Sequence, residues 1–471
     1  MSLKYYLVTL GCAKNVADSE GIGTILQQQG YVPTQAVEEA DVLIVNTCGF
    51  LQAAREESLA TLNELGRHKQ PGQLLIAAGC LSERYGQQLA HDVPALDGII
   101  GTQQWTRIAE FLERLRERHR EARWRAYVMP PDERNHVADS VVRRAESHTA
   151  YLKIADGCSA PCAFCTIPSF KGPQRSKRPG AVIREAQELV AQGVQEIVLV
   201  AQDLTAYGRD WGDPDGLPTL LEMLVQEVSN LPWIRLMYAY PGHVSDRLIE
   251  VMAKHEAVLH YLDIPLQHGH PAVLKRMRRP HKLERIYALF EKLRAAMPDI
   301  CLRTTFIVGY PGETEAEFQA LLDFMSAVQF DKVGIFTYSR EPGTPASDLP
   351  DQIPEAVKQE RWERAMAHQQ AIALARQEAQ LGRVLEVLVD GYDAANRRTL
   401  ARSYREAPEV DGYVLVRGQY EPGERLQVRI TGAMPYDLEG RVVRRKPRRQ
   451  PVPTPDVIGF DAIPVRPDRT T

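Results

Sequence analysis

Short apolar runs alternate with amphipathic stretches of helical period along most of this chain, and that alternation leaves few folds open. Within roughly the first 110 residues, Lys4 to Leu10, Asp41 to Asn46 and Leu74 to Ala78 read as buried strands. Helices are expected between them, at Asp18 to Gln29 closed by Gly30 and at Phe50 to Leu65 closed by Gly66. This order predicts a doubly wound parallel sheet. A second series begins at Tyr151. Its strands are expected at Tyr151 to Ile154, Glu196 to Ala201, Trp233 to Tyr238, His260 to Ile264, Leu302 to Val308 and Lys332 to Tyr338. Helices should separate them, including Ala181 to Gln192, Leu217 to Val228, Leu283 to Ala296 and Glu315 to Val328. Six such units suit a partial (β/α)6 barrel better than a closed eight-stranded one. After a long polar helix, about Pro354 to Gln380, the period changes to two in VLEVLVDGY, DGYVLVRG and ERLQVRITGA. These stretches predict a small all-β barrel.

The α/β chain therefore divides into an N-terminal domain (1–112), a helix and linker (113–146), a partial barrel (147–378), a small β-barrel (379–446) and a flexible tail (447–471). The arginine-rich stretch Glu113 to Arg144, which includes Pro130 and Pro131, reads as a solvated helix face followed by the linker. With 57 basic and 61 acidic residues the net charge is −4, which excludes a wholly basic nucleic-acid coat. No apolar run is long enough to span a membrane, and the start MSLKYYLVTLGC lacks the parts of a signal peptide. A cytosolic location is expected. Seven cysteines, an odd number in a long chain, point to metal binding or catalysis rather than a disulfide framework.

Three of those thiols, Cys158, Cys162 and Cys165, form C-x3-C-x2-C directly after a predicted strand. In a parallel barrel such a loop lies on the functional face. Three thiolates can hold three irons of a four-iron cluster and leave the fourth open to a small molecule. A structural zinc site with a fourth ligand from elsewhere is the alternative, although no second pair is spaced for one. Cys12, Cys48 and Cys80 are dispersed, at separations of 36 and 32 residues, and each follows a predicted strand beside a glycine. Parallel strands present equivalent ends at one edge, so these thiols can converge there. Cys301 begins a predicted strand and reads as a buried thiol. His268 and His270 flank Gly269 and read as hydrogen-bonding or exposed rather than metal-binding.

The Cys158-Ser-Ala-Pro-Cys162-Ala-Phe164-Cys165 loop resembles that of the radical S-adenosylmethionine enzymes. With the second thiol set and the terminal barrel, the chain resembles the methylthiotransferases over about residues 1 to 446. The matching stretches are Leu10-Gly11-Cys12-Ala13-Lys14-Asn15 with Asp18-Ser19-Glu20, Asn46-Thr47-Cys48, Gly79-Cys80, Ala201-Gln202-Asp203, Pro265-Leu266-Gln267 and Val308 to Thr314. The terminal module resembles a TRAM domain, which is OB-like. The resemblance implies two [4Fe-4S] clusters, one on Cys158, Cys162 and Cys165 and an auxiliary one on Cys12, Cys48 and Cys80. It implies that S-adenosylmethionine chelates the open iron of the first and yields a deoxyadenosyl radical. It further implies sulfur delivery through the second, a separate S-adenosylmethionine as methyl donor, and a reducing partner such as flavodoxin or ferredoxin. Phe164, Gln202, Asp203 and Arg303 are implied to line the cofactor site; from the residues alone, Phe164 could pack and Gln202 and Asp203 could cap.

Two branches of that family compete. One modifies an adenosine of transfer RNA; the other, of RimO type, modifies the β-carbon of an aspartate in a small-subunit ribosomal protein (S-twelve). Leu-Gly-Cys-Ala-Lys-Asn and the stretch Cys162 to Pro168 with Gly172, Arg175 and Ser176 resemble the second, with Ala13 and Lys177 as mild departures. From Glu386 to Glu439 there are ten acids, seven arginines and no lysines. An RNA-gripping barrel should be basic, whereas an acidic one suits a basic protein loop. The basic stretch Arg441 to Arg449 weakens that contrast slightly. A two-cluster electron carrier would need neither the six-unit barrel nor the terminal module. A zinc-binding module is separated by composition: anaerobic reconstitution should give about eight irons with matching labile sulfide per chain, and zinc in their place would remove the cluster assignment.

Overall fold

In the computed structural model, residues 2–118, 126–130, 143–145, 147–230 and 233–445 are described. The expected tail, 447–471, lies outside them, as does most of the expected linker. The first sheet contains β1 (Lys4–Thr9), β2 (Val32–Pro33), β3 (Val42–Thr47), β4 (Leu74–Gly79), β5 (Gly98–Gly101) and β6 (Tyr127–Val128). They lie in the order β2-β1-β3-β4-β5-β6, all parallel. Every residue of β3 and β4 is buried because helices cover both faces. Val42, Ile44, Leu74 and Ile76 face one core and Leu43, Val45, Leu75 and Ala77 the other, as the pleat requires. Each such branched side chain contributes about 2 kcal/mol by leaving water.

The second series runs β7 (Thr149–Lys153), β8 (Ala155–Asp156), β9 (Arg175–Ser176), β10 (Glu196–Val200), β11 (Trp233–Leu236), β12 (Val258–Asp263), β13 (Cys301–Val308) and β14 (Lys332–Thr337). Six of these form an open parallel sheet in the order β14-β13-β12-β11-β10-β7, the expected partial barrel. Strands β8 and β9 instead pair with each other and close the base of the Cys158 loop. Leu152, Ile197 and Leu199 face the outer helices, while Tyr151, Val198, Tyr261 and Cys301 face the lumen. The last five strands, β15 (Val384–Asp393), β16 (Arg398–Arg402), β17 (Val414–Arg417), β18 (Arg425–Ala433) and β19 (Leu438–Arg445), form the closed barrel. No helix among the described residues is long and apolar enough to cross a membrane.

Several expectations need correction. β2, β5 and β6 were not anticipated, and Tyr127–Val128 turns part of the expected linker into a sheet edge. The first helix begins at Ala13, not Asp18, which places Cys12 at its N-cap. The second helix runs to His68, so Gly66 does not end it; a Cβ on Gly66 would stand 2.7 Å from that of Ala95, and close packing is its reason. The expected solvated stretch includes Arg143, which is buried between Glu20 and Glu185. Cys301 is buried as expected. His268 is fully buried and its Nδ1 accepts the His270 N–H at 3.0 Å; burial holds its pKa down to about 3.

The small barrel is bolted to the large one. Its Ser403–Asp411 stretch enters the lumen, where Ala407 packs with Tyr151 and Tyr261, and the Tyr261 hydroxyl donates to Asp411 at 2.8 Å. Arg402 meets Glu196 and Asp390, each at 2.5 Å; Arg235 meets Glu196 at 2.7 Å, and Arg405 meets Asp331 at 2.8 Å. Burial pushes the Glu196 carboxyl up, but Arg402 and Arg235 pull it further down, so it ends below its ordinary value. Its contribution is present above the unfolded carboxyl pKa, about 4.3, and is lost as pH falls through the lower folded value. Glu196→Gln should therefore destabilise by about 3–5 kcal/mol at neutral pH, since two arginines lose a buried counter-charge. Urea midpoints at pH 7 and below pH 4 should show that gap narrowing on acidification.

Candidate functional site

Strands β1, β3 and β4 are parallel neighbours, so their C-terminal ends share one edge. Cys12, Cys48 and Cys80 follow those ends. Gly11 has φ +96°, and a Cβ there would stand 2.7 Å from Cys48 Cβ and 3.0 Å from its Sγ. Gly79 has φ +91°, and its Cβ would stand 2.7 Å from the Thr47 carbonyl. Both turns thus need glycine to bring the thiols together. Asn15 ties the edge: its Nδ2 donates to the carbonyls of Leu10 at 2.7 Å and Thr47 at 3.1 Å, and its Oδ1 accepts from Cys80 Sγ at 3.9 Å. In the sequence Asn15 is one residue of a matching motif, with nothing to mark this task.

The second triad is also rigidly placed. The Cys158 N–H donates to Gly172 O at 3.0 Å, Ala163 N–H to Met277 O at 3.0 Å, and Ala346 N–H to Ala163 O at 2.9 Å. Arg279, which sequence reasoning missed, donates from Nη1 to Cys162 Sγ at 3.5 Å and from Nη2 to the Pro265 carbonyl. Its guanidinium lies 4.3 Å from the Tyr240 ring centroid, and its buried Nε has no partner among the described residues. The triads share one apolar wall: Cys80, Cys158, Ile167 and Phe170 pack together, with Phe50, Ala160 and Cys165 against them. All six sequence-predicted thiols are thus placed around one region.

Burial pushes the thiols of Cys158 up to about 11 and of Cys80 and Cys165 up to about 12. Cys12 differs: burial raises it, but Lys14 and the backbone N–H groups of Asn15 and Lys14 lower it below the ordinary thiol value. Buried neutral thiols suit a metal centre whose binding displaces their protons. Among the described residues, no three His, Cys, Asp or Glu side chains are gathered closely enough for a single ion. A cluster in which each thiolate takes its own iron does not require that closeness.

Beside the Cys158 loop lies a cleft of about 320 Å³ lined by Ser159, Pro161, Gln174, Asp203, Tyr240 and His243, among others. Asp203 accepts from the Ala206 N–H at 3.1 Å and pairs with His243 Nδ1 at 2.9 Å, so it caps its turn while lining the cleft. Gln174 is buried with both amide atoms unpartnered among the described residues, a signal invisible in sequence. Gln202 is half-buried next to Asp203. Phe164 packs towards Tyr310 and Tyr338, and Arg303 lies in the lumen on Asp263 at 2.8 Å and Asp411 at 3.5 Å.

Comparison with known proteins follows this division. Residues 4–101 match the uncharacterized protein family UPF0004, 152–325 the radical SAM superfamily and 381–443 the TRAM domain. A ribosomal protein uS12 methylthiotransferase RimO from Chloroflexus aurantiacus is 50% identical over 464 residues, covering 94% of this chain and 100% of the relative. Its counterpart from Roseiflexus castenholzii is 49% identical, covering 94% and 96%. Among solved structures, the radical S-adenosylmethionine methyltransferase TsrM from Kitasatospora setae, with cobalamin and a [4Fe-4S] cluster bound, aligns with TM-score 0.56 at 17% identity. That alignment covers 74% of this chain and 77% of TsrM, and it supports the fold alone.

One residue latches the two halves of the site. Glu341, 1% exposed, receives Arg84 at 3.1 Å, Arg55 at 3.4 Å and the Gln52 N–H at 3.0 Å, all from the N-terminal domain. Glu341→Ala should cost about 3–5 kcal/mol by orphaning these donors. Hydrogen exchange should quicken in the helices Gln52–His68 and Cys80–Asp92 and remain unchanged in β15 to β19.

Proposed function

The chain belongs to the RimO family of radical S-adenosylmethionine methylthiotransferases, and from that premise we propose that it places a methylthio group on the β-carbon of an aspartate in ribosomal protein uS12. The observation that carries the reading is the shared apolar wall of the two thiol triads, because joint chemistry needs both centres to act on one substrate atom. Cys158, Cys162 and Cys165 hold one [4Fe-4S] cluster, and Cys12, Cys48 and Cys80 the auxiliary one. When bound, the clusters and S-adenosylmethionine supply the one-electron cleavage and the sulfur that an unactivated C–H bond demands.

The chain's own residues place and shield that chemistry. Phe50, Ile167 and Phe170 exclude water between the triads. Arg279 orients the Cys162 sulfur, and Asn15 holds the three strand ends of the auxiliary set. Gln174 and Asp203 offer polar groups to the cleft where S-adenosylmethionine is assigned, and Gln202 is assigned there as the neighbour of Asp203, while Phe164 packs with Tyr310 and Tyr338. The reducing partner is assigned as a flavodoxin or ferredoxin.

A protein substrate is favoured over transfer RNA by how the small barrel uses its arginines. Arg402, Arg405 and Arg425 are buried, engaged respectively with Glu196 and Asp390, with Asp331, and with Glu386. They are withdrawn from any phosphate backbone. Reconstituted protein with S-adenosylmethionine and a reductant should add one methylthio mass to an aspartate-containing uS12 peptide and none to unmodified transfer RNA. Cys158→Ala should abolish deoxyadenosine release, whereas Cys12→Ala should release deoxyadenosine without methylthio product. Product from the Cys12 variant would sink the auxiliary-cluster assignment.

A further inference from the structure

Six lysines are buried among the described residues, and five have a carboxylate within 4.0 Å. Lys153 meets Asp18, Lys171 meets Asp156 at 3.0 Å, Lys177 meets Glu185 at 2.7 Å, Lys332 meets Glu406 at 3.9 Å and Lys358 meets Glu355 at 2.6 Å. The sixth is Lys14, 6% exposed, with no carboxylate at that range and no hydrogen-bond acceptor among the described residues. Its Nζ stands over the Tyr238 ring, 3.6 Å from the centroid. A ring face offsets only part of the desolvation of an ammonium, and a buried cation without an anion is among the costlier features a fold retains.

No carboxylate among the described residues reaches Lys14; its Coulombic partners are the Tyr238 hydroxyl, the Cys12 sulfur and the already engaged Asp263. Lys14 lies in the first turn of the helix Ala13–Gln28, two residues after Cys12. Ala13 and Ala17 of that helix pack with lumen residues Tyr151, Met237 and Tyr261, and Tyr238 packs against the same group. Tyr238 is held at φ 65°, a strained conformation for a non-glycine residue, with its N–H on Asp263 at 3.1 Å. Asp263 also receives Arg303 at 2.8 Å, so its oxygens are already engaged. The cation therefore stands between the auxiliary thiols and the barrel lumen, with no hydrogen-bond acceptor on its Nζ among the described residues.

We propose that Lys14 receives the side-chain carboxylate of the substrate aspartate, an inference that rests on the substrate assignment above. In aspartate the β-carbon is bonded directly to the carboxylate carbon. Anchoring that carboxylate on Lys14 fixes the reacting carbon beside the Cys12 set and excludes neutral side chains. Lys14 is in this sense a specificity-determining residue, supplying the charge that the substrate completes.

The test is binding by the full-length, cluster-reconstituted protein without reductant, so that no turnover occurs. The probes are fluorescent uS12-loop peptides carrying the target aspartate or asparagine in its place. The unaltered protein should bind the aspartate peptide roughly tenfold or more tightly, and Lys14→Met should bring the two within about twofold. Lys14→Arg should retain part of the preference. Substrate-free Lys14→Met should melt no lower than the unaltered protein, because it loses a buried unpaired charge. A Lys14→Met protein that still discriminates overturns the inference while leaving methylthiolation of uS12 intact. Should Lys14→Met fail to fold, equal binding of both peptides by Lys14→Arg overturns it as well. Failure of the unaltered protein to bind or modify uS12 removes both readings.

Discussion

Parallel strand pairing decides where this chain can do chemistry. In β1, β3 and β4 it delivers three thiols from far apart in sequence to one edge, and in the second sheet it lifts the Cys158 loop to the rim. The dispersed set is not assembled by local structure, and the compact Cys158 loop owes its place at the rim to the strand before it; each depends on strand polarity. The turns are therefore where the sequence is least free. Gly11 and Gly79 accept backbone conformations that other residues resist, and Asn15 supplies the hydrogen bonds those turns leave over.

The next requirement is registry between the two sheets, and buried charge supplies it. Lys153 reaches from β7 to Asp18 on the first helix, Arg143 joins Glu20 to Glu185, and Glu341 gathers donors from the N-terminal domain. At the far end, Glu196 on β10 joins Arg235 and Arg402. Such pairs add little net stability over apolar packing, but displacing one partner strands a charge. They tolerate one docking arrangement and penalise neighbouring ones, as two centres facing across a common wall demand. The same network draws Arg402, Arg405 and Arg425 of the small barrel inward.

The legible part of the sequence was the part governed by periodicity. Strands β10 to β14 were anticipated within about two residues because each is a short, largely apolar run set between helical patterns. Val32–Pro33 and Tyr127–Val128 are two-residue pairings at sheet edges, and Gly98–Gly101 is short and glycine-bounded; none carries a periodic signal. The six thiols were legible because their spacing matches βα units and a compact loop. Arg279, Gln174 and Glu341 were not, since their roles come from contacts across more than 100 residues or from unsatisfied atoms that only a folded chain defines. Lys14 was visible as a motif letter, but its burial without a carboxylate among the described residues is a property of the tertiary structure.

These residues and the buried thiols share a physical character: the thiols of Cys80 and Cys158 favour their neutral form, and among the described residues Gln174 has two unpartnered amide atoms, Arg279 an unpartnered Nε, and Lys14 no carboxylate. A fold selected for stability alone would satisfy or replace each of them. Elsewhere the chain pairs its buried lysines and arginines, so the fold does not lack the means. Buried unpartnered atoms occur elsewhere too, but these thiols, the Gln174 amide, Arg279 and Lys14 stand beside the two thiol sets. On the proposed reading, metal would take the place of thiol protons, a polar ligand would meet the Gln174 amide and Arg279, and an anion would meet Lys14. Each bound group would then remove a cost that the empty fold carries, favouring the loaded enzyme.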